Sequence, residues 1–248
     1  MSAALAQMAL PFAPVRRGAA APLIAAASNA AARAWLACTV TWPQGRLALW
    51  GPPGCGKSRL LAEWAARTDA TLVHGPELHF TPPTGPLAID DAQGAPPRAL
   101  LHVLNAAQEA GHAVLFAAPA APARWNVALP DLASRLRAIT SVAIEAPEDD
   151  LLHALLARLL AERQLRVAEP TLAWLLARLP RTHAAIATAV ARLDHAAQVL
   201  GTAIAPALAR QILPDLLADL PEEADAAPAH EDFVERAPPG SPPPRGLL

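Results

Sequence analysis

The chain has 248 residues and a formal net charge of −2, and 53% of its residues are hydrophobic. This length suits one large domain, or a medium domain with a small one, and the hydrophobic content suffices for a packed core. The charge excludes a basic field over the whole chain, as DNA-binding domains often have. The only two cysteines, Cys38 and Cys55, exclude a disulfide framework and favour a reducing, cytoplasmic location. Prolines and charges interrupt every long apolar run, so we expect no membrane partner.

The first 22 residues form an alanine- and proline-rich arm in which Pro11 and Pro14 exclude a continuous helix. Within it, Gln7 is followed by Leu10 and Phe12, a spacing that lets an extended peptide place an amide and two apolar anchors in separate pockets. Short patterns of this kind also arise by chance, so a disordered tail is the alternative. Next along the chain, Ser28 and Asn29 are typical caps for a helix that continues through Leu36.

A phosphate-binding motif follows the apolar strand predicted at 46–50. It satisfies G-x-x-x-x-G-K-[ST], and with the next residue it gives the predicted nucleotide-binding set Gly51, Pro52, Pro53, Gly54, Cys55, Gly56, Lys57, Ser58 and Arg59. The glycines let successive N–H groups surround an anion, and the helix predicted at 58–67 directs its positive end at it. Lys57, the only lysine among 20 basic residues, would reach the β- and γ-phosphates of ATP or ADP.

Further strands are predicted at 71–74, 86–90, 112–117 and 141–145, with a helix at 97–110 that Gly111 ends. Short buried strands that alternate with helices predict an α/β fold with a parallel, five-stranded sheet. The connection 75–85 leaves little room for a crossover helix.

Two carboxylates, Asp90 and Asp91, end the strand predicted at 86–90. After a P-loop, such a strand end supplies the acidic ligands of the nucleotide's Mg²⁺. We expect Asp90 and the Ser58 hydroxyl to bind Mg²⁺, and Asp91 to lie where an attacking water is oriented. An acidic turn without a metal is the alternative.

From Pro147 onward the chain predicts a small all-helical domain over 147–220, after an α/β domain over 23–146. Glu148, Asp149 and Asp150 form an acidic first turn, which the helix dipole favours. A leucine stripe follows, and further helices are predicted at 169–179, 182–200 and 206–219. The proline- and acid-rich tail 221–248 is predicted to be disordered.

A P-loop sheet domain followed by a helical lid resembles the AAA+ ATPases. The segment 129–137, Leu-Pro-Asp-Leu-Ala-Ser-Arg-Leu-Arg, resembles box VII of the bacterial initiator DnaA, and more closely that of its Hda-type regulators. The stretch 89–93 is similar to the initiator-type Walker B motif, and segments 164–167 and 191–194 look like the same relatives' lid. The resemblance covers roughly residues 28–215.

The resemblance implies that Arg135 is an arginine finger, with Arg137 as a second candidate. A surface arginine paired with Asp131 is the alternative. It also implies that the arm is a sliding-clamp-binding motif made of Gln7, Leu10, Pro11 and Phe12. The implied partners are the DNA polymerase sliding clamp (its β subunit), DnaA and a possible second copy of the chain. The clamp would associate the protein with the nucleoid.

Departures from the family pattern limit the implied chemistry. A polar sensor residue is expected after the fourth strand, where this chain has Ala117 and Ala118, and the lid's sensor arginine aligns with Ala184. Arg181, about one helical turn earlier, is a candidate substitute. No DNA-binding module is expected after the lid, which disfavours an initiator and direct sequence-specific DNA binding. These features imply weak intrinsic hydrolysis at most, and activation of hydrolysis in a partner. An autonomous ATPase and a non-catalytic adaptor between clamp and DnaA are the alternatives.

Overall fold

Five strands form one parallel sheet in a computed structural model that describes residues 23–200, 206, 209–211 and 214. In chain order the strands are β1 (Arg46–Trp50), β2 (Thr71–His74), β3 (Leu87–Asp90), β4 (Val114–Ala118) and β5 (Thr140–Ala143). Their spatial order is β2-β3-β4-β1-β5, and every recorded strand pair is parallel. The α/β fold with a five-stranded parallel sheet is therefore confirmed.

Seven α-helices accompany the sheet within residues 23–200. They are α1 (Ala27–Ala37), α2 (Lys57–Thr68), α3 (Pro97–Glu109), α4 (Pro130–Ala138), α5 (Asp149–Glu162), α6 (Glu169–Leu176) and α7 (His183–Leu200). Side chains of α3 and α4 form one core with Ile89 and Phe116, while α1 and α2 form a second core with Leu47 and Leu49. Alternate residues of a strand point to opposite faces, so each face of the sheet buries its own apolar set.

The observed strand limits agree with the predicted ones for β1 and differ from them for β4 and β5. The prediction of 46–50 for β1 is confirmed, because β1 pairs with both β4 and β5 and is buried from Arg46 to Leu49. The predicted strand at 112–117 begins too early. Gly111 has φ +69° after the end of α3, and the N–H of His112 still donates to Ala107 O at 2.8 Å, so β4 begins only at Val114. The last strand is Thr140–Ala143 rather than 141–145.

No α-helix lies between β2 and β3, as the short connection predicted. Between these parallel neighbours the structure has a 3₁₀ turn, Gly75–Glu77, and an extended segment. β2 is an edge strand, and three of its four residues are exposed.

The predicted cap of α1 is wrong by two residues. The helix begins at Ala27 with Ala26 as its N-cap, so Ser28 and Asn29 lie inside the first turn. The Asn29 side chain nevertheless caps the helix, because its Oδ1 accepts the Ala26 N–H at 3.2 Å.

Helices α5, α6 and α7 form a third core of their own, in which Leu156, Ile186 and Val190 are fully buried. Of the helix predicted at 206–219, the described residues are Pro206, Ala209, Arg210, Gln211 and Pro214, all of them helical. The arm 1–22 and the tail 221–248 lie outside the described residues. The domain limits given above stay predictions.

Glu148 joins the start of α5 to the start of α1. Its Oε1 accepts the Ser28 N–H at 2.8 Å, and its Oε2 accepts the Ser28 hydroxyl at 3.0 Å. The bond from the Ser28 backbone is the main reason why the pKa of Glu148 is lowered.

We expect this contact to make stability pH-dependent in acid. Because the folded pKa of Glu148 is lowered, its contribution is present above the unfolded pKa of about 4.3 and is lost as pH falls through the folded pKa. Melting temperatures of wild type and Glu148→Gln should therefore differ at pH 7 and converge as the pH falls through the folded pKa of Glu148. A difference that stays constant with pH would contradict this origin.

Candidate nucleotide-binding site

The P-loop lies at the carboxyl end of β1 and leads into α2. A Cβ on Gly51 would lie 2.2 Å from Ile144 O, so only glycine fits where the loop leaves the sheet. Gly54 has φ +72°, a left-handed conformation that side chains disfavour. The motif's two variable prolines, Pro52 and Pro53, lie between these glycines. The loop therefore needs glycine at 51 for lack of space and at 54 for its backbone conformation.

Lys57 is the first residue of α2, one position earlier than predicted for the helix start. Its Nζ donates to Gly51 O at 2.8 Å, to Pro52 O at 2.7 Å and to Cys55 Sγ at 3.7 Å. These bonds use all three of its donors. Burial raises the pKa of the Cys55 thiol, an effect that Lys57 opposes.

The two carboxylates at the end of β3 lie on the same side of the sheet as the P-loop, at the carboxyl ends of the parallel strands. Only β4 separates β3 from β1. The Asp91 N–H donates to Asp90 Oδ1 at 3.0 Å, and Asp91 itself has φ +48°. Gly75 packs against this turn, since a Cβ there would lie 2.2 Å from Asp91 O. The roles of Asp90 in metal binding and of Asp91 in orienting water stay predictions.

The available donors fit a magnesium ion that is shared with a nucleotide. The Ser58 hydroxyl is exposed in the first turn of α2, and the Asp90 carboxylate is partly exposed at the end of β3. Mg²⁺ prefers such hard oxygen ligands and takes its remaining ligands from water and phosphate. In the described residues no three His, Cys, Asp or Glu side chains form a metal cluster, so an all-protein site is not formed there.

A cleft lies between the P-loop and helices α5 and α7, which together with α6 are called the lid below. Its apolar wall comes from the chain before α1 and from α5, and its polar wall has three basic side chains and no acidic one; the lining residues are Leu23, Ile24, Asn29, Gly54, Cys55, Gly56, Arg59, Pro147, Leu151, Leu152, Leu155, Arg158 and His183. Arg59 Nη2 is buried there without a hydrogen-bond partner. An apolar wall suits a nucleobase, and the basic side suits phosphate. Of the predicted nucleotide-binding residues, Gly54, Cys55, Gly56 and Arg59 line this cleft, whereas the sequence did not predict the apolar wall, whose only signal was the leucine stripe of α5.

His183 completes the basic side of the cleft at the first residue of α7. Partial burial, and then the charges of Arg59 and Arg158, lower the pKa of its imidazole. The lowered pKa favours the neutral imidazole, so the positive charge of this wall comes from Arg59 and from Arg158, which also pairs with Glu162 at 3.1 Å.

Comparisons with solved structures identify the fold. Domain III of the replication initiation protein DnaA from Thermotoga maritima is similar with a TM-score of 0.63 and 16% identity, over 77% of this chain and 90% of that one. A Thermotoga maritima RuvB mutant gives a TM-score of 0.61 and 17% identity, over 77% and 69% of the two chains. For DnaA bound to AMPPCP and single-stranded DNA, the values are 0.58 and 15%, over 76% and 66%. The chain has an AAA+ fold. No protein-family model matches it, and comparison with curated proteins gives no match.

In this AAA+ fold the lid packs directly on the P-loop. A Cβ on Gly54 would lie 2.5 Å from Thr182 Cβ, in the turn before α7. The Thr182 hydroxyl in turn accepts the Ala185 N–H at 3.1 Å and so caps α7. The position of the lid helix is therefore coupled to the loop.

Gly54→Ala should both destabilise the protein and weaken nucleotide binding, because it combines left-handed strain with a clash against Thr182. Two glycines give matched controls: a Cβ on Gly85 meets nothing within 4 Å, and one on Gly111 meets nothing within 4 Å but has φ +69°. We expect no loss of stability for Gly85→Ala, about 1–2 kcal/mol for Gly111→Ala and about 2–4 kcal/mol for Gly54→Ala in denaturant unfolding. Equal losses for the last two would contradict the lid contact.

Alanines occupy the places where relatives are expected to carry polar sensors. Ala117 and Ala118 are buried at the end of β4, where Ala118 pairs with Trp50 directly before the P-loop. Ala184 is the second residue of α7. Arg181, the candidate substitute, is paired elsewhere: its Nη1 lies 2.5 Å from Asp149 Oδ1 and its Nη2 donates to Pro147 O at 3.4 Å.

Arg135 lies near the amino ends of the strands, whereas the P-loop lies at their carboxyl ends. It is on α4, three residues before the helix ends and leads into β5, and its Nη1 contacts Gln108 Oε1 at 3.4 Å. Gln108 in turn contacts Arg46, the first residue of β1, at 2.8 Å. The amino and carboxyl ends of β1 are four residue steps apart, which corresponds to roughly 13 Å. The alternative pairing with Asp131 is present as well, with Arg135 Nε 3.2 Å from Asp131 Oδ1.

The remaining predicted site residues, Gln7, Leu10, Pro11 and Phe12, lie outside the described residues. No helix in the described part of the chain is long and apolar enough to cross a membrane.

Proposed function

We propose that this protein is a nucleotide-bound AAA+ regulator of replication initiation, which stimulates ATP hydrolysis on DnaA in trans. ADP or ATP with Mg²⁺ would occupy the P-loop and the cleft. Residues 7–12 would bind the sliding clamp, and Arg135 would act on the ATP held by DnaA.

The observation that carries this proposal is the separation of Arg135 from the chain's own nucleotide site. Around the nucleotide site, alanines (Ala117, Ala118 and Ala184) stand where polar sensors are expected. Arg135 lies at the amino ends of the strands, away from this site, and its side chain is 32% exposed. An arginine that cannot reach its own nucleotide can reach one held by a neighbouring protein. A nucleotide site that is expected to hydrolyse weakly, together with a partly exposed arginine far from it, therefore favours activation in trans.

Within the proposed complex, hydrolysis takes place entirely in the partner's site. Water attacks the γ-phosphorus of the DnaA-bound ATP, the bond to the β-γ bridging oxygen breaks, and ADP and phosphate are released. The guanidinium of Arg135 would donate N–H groups to the γ-phosphate oxygens as charge develops there. The nucleotide bound by this chain takes no part in that reaction, and would fix the lid and sheet relative to each other.

A reconstituted reaction tests the proposal with clamp loaded on DNA, ATP-bound DnaA and the full chain. Wild type should shorten the lifetime of DnaA-bound ATP. Two variants should lengthen it: Arg135→Ala, which removes the finger, and the combined Gln7→Ala, Leu10→Ala and Phe12→Ala, which removes the clamp anchors. When the clamp is omitted from every reaction, the arm variant and wild type should give the same lifetime of DnaA-bound ATP. An ATP lifetime that is the same with all three proteins would refute the proposed function.

An autonomous ATPase is the second candidate, because Lys57, Ser58, Asp90 and Asp91 all lie at the carboxyl edge of the sheet. Fast ATP turnover by the isolated chain, abolished by Lys57→Ala, would favour it. A non-catalytic adaptor predicts instead that Arg135→Ala leaves the lifetime of DnaA-bound ATP unchanged.

A further inference from the structure

The proposed arginine finger, Arg135, and the buried Arg46 both contact the side chain of Gln108. Gln108 Oε1 accepts from Arg46 Nη2 at 2.8 Å and from Arg135 Nη1 at 3.4 Å. Arg46 is only 2% exposed, and its Nη2 also donates to Leu104 O at 3.0 Å. Gln108 is thus fixed by a buried group on one side and contacts Arg135 on the other.

The contacts of Arg135 leave one end of its guanidinium available. Arginine has five N–H donors in a rigid plane. Nε is directed to Asp131 Oδ1 and one Nη1 donor to Gln108 Oε1, while Nη2 makes no hydrogen bond to the described residues. These two contacts restrict rotation of the planar group and leave both Nη2 donors available.

Charge also favours an anion at this end. Arg46 has no carboxylate partner among the described residues, and its pKa is lowered first by burial and then by the charge of Arg135. The two cations repel each other, and the one acid in contact with Arg135 is Asp131, whose side chain is 58% exposed. A phosphate group that approaches Nη2 would relieve this repulsion.

We propose that Gln108 and Asp131 are positioning residues that orient Arg135 toward the partner's phosphate, with Arg46 as the buried support of Gln108. This inference rests on the proposed function of Arg135. Since correct orientation lowers the barrier without changing how tightly the proteins dock, loss of Gln108 should reduce the maximal rate rather than the affinity.

The test measures hydrolysis of DnaA-bound ATP at increasing concentrations of the full chain. Gln108→Met keeps the side-chain length but removes the shared oxygen, and we expect the maximal rate to fall about tenfold while the half-saturating concentration changes less than twofold. Gln108→Glu keeps an oxygen between the two arginines and should restore the rate to within about threefold of wild type. Asp131→Ala, at an exposed position, should cost about two- to fivefold.

A double variant tests whether Gln108 acts through Arg135. Gln108→Met combined with Arg135→Ala should be no slower than Arg135→Ala alone, because the oriented group is then missing. The matched control is Gln198→Met, on a lid glutamine whose partner is Asp194 at 2.9 Å, and it should leave the rate unchanged.

Each outcome separates the two proposals. If Arg135→Ala keeps the full rate, the proposed function fails. If Arg135→Ala is inactive but Gln108→Met keeps the full rate, shifts only the half-saturating concentration, or slows the double variant further, the positioning role is overturned. Should Gln108→Met melt below the assay temperature, Asp131→Ala decides, and an unchanged rate there overturns the role.

Discussion

Arg135→Ala should lower the rate of ATP hydrolysis on DnaA by about 10³-fold or more relative to the wild-type chain, since arginine fingers contribute about 10³–10⁵ to the rate of NTP hydrolysis. The same variant should bind its own nucleotide with unchanged affinity, because Arg135 lies at the edge of the sheet opposite the P-loop. Single-turnover hydrolysis of radiolabelled ATP on DnaA measures the first quantity, and titration with a fluorescent adenine nucleotide measures the second.

Arg137→Ala is the matched control for this variant, since Arg137 is exposed two residues later on the same helix and carries the same charge. A full rate with Arg137→Ala and a lost rate with Arg135→Ala would assign the finger to Arg135. The reverse result would transfer the role to Arg137. If both variants retained the full rate, activation in trans would be contradicted.

The sequence was most informative where one segment determines its own structure. The apolar run 46–50 and the glycine-rich loop after it predicted β1 and its turn, since both depend on local residue types. Gly111 predicted the end of α3 for the same reason, but the start of β4 was misplaced, because a backbone bond from His112 extends the helix end. The missing crossover helix between β2 and β3 followed from chain length alone.

The sequence was least informative where the site depends on contacts between distant segments. The bond between Ser28 and Glu148 joins residues 120 positions apart, and that between Arg46 and Gln108 joins residues 62 positions apart. Neither pair has a sequence pattern, because one hydrogen bond constrains only the two side chains that form it. The apolar wall of the cleft is hidden similarly, since Leu23 and Leu151 look like ordinary core positions until the lid is placed over the P-loop.

Lys57→Ala should weaken binding of ADP and ATP by about 10- to 100-fold, because a hydrogen bond to a charged group contributes about 1.5–3 kcal/mol. The effect has two sources. The variant loses the ammonium that would contact the β- and γ-phosphates, and it leaves Gly51 O and Pro52 O without the donor that now holds them. Isothermal titration with ADP measures the loss, and the circular dichroism spectrum should be unchanged because α2 keeps a good helix former at its first position.

Lys57→Arg is the decisive companion variant, because arginine is the basic residue at all 19 other basic positions of the chain. If position 57 required only a positive charge, Lys57→Arg would bind nucleotide as well as wild type. We expect it to bind nearly as poorly as Lys57→Ala, since a planar fork cannot replace a compact ammonium that has two carbonyls at 2.7 and 2.8 Å. Wild-type affinity in Lys57→Arg would contradict this requirement for an ammonium, whereas wild-type affinity in Lys57→Ala would mean that other basic side chains of the cleft, Arg59 and Arg158, hold the phosphates.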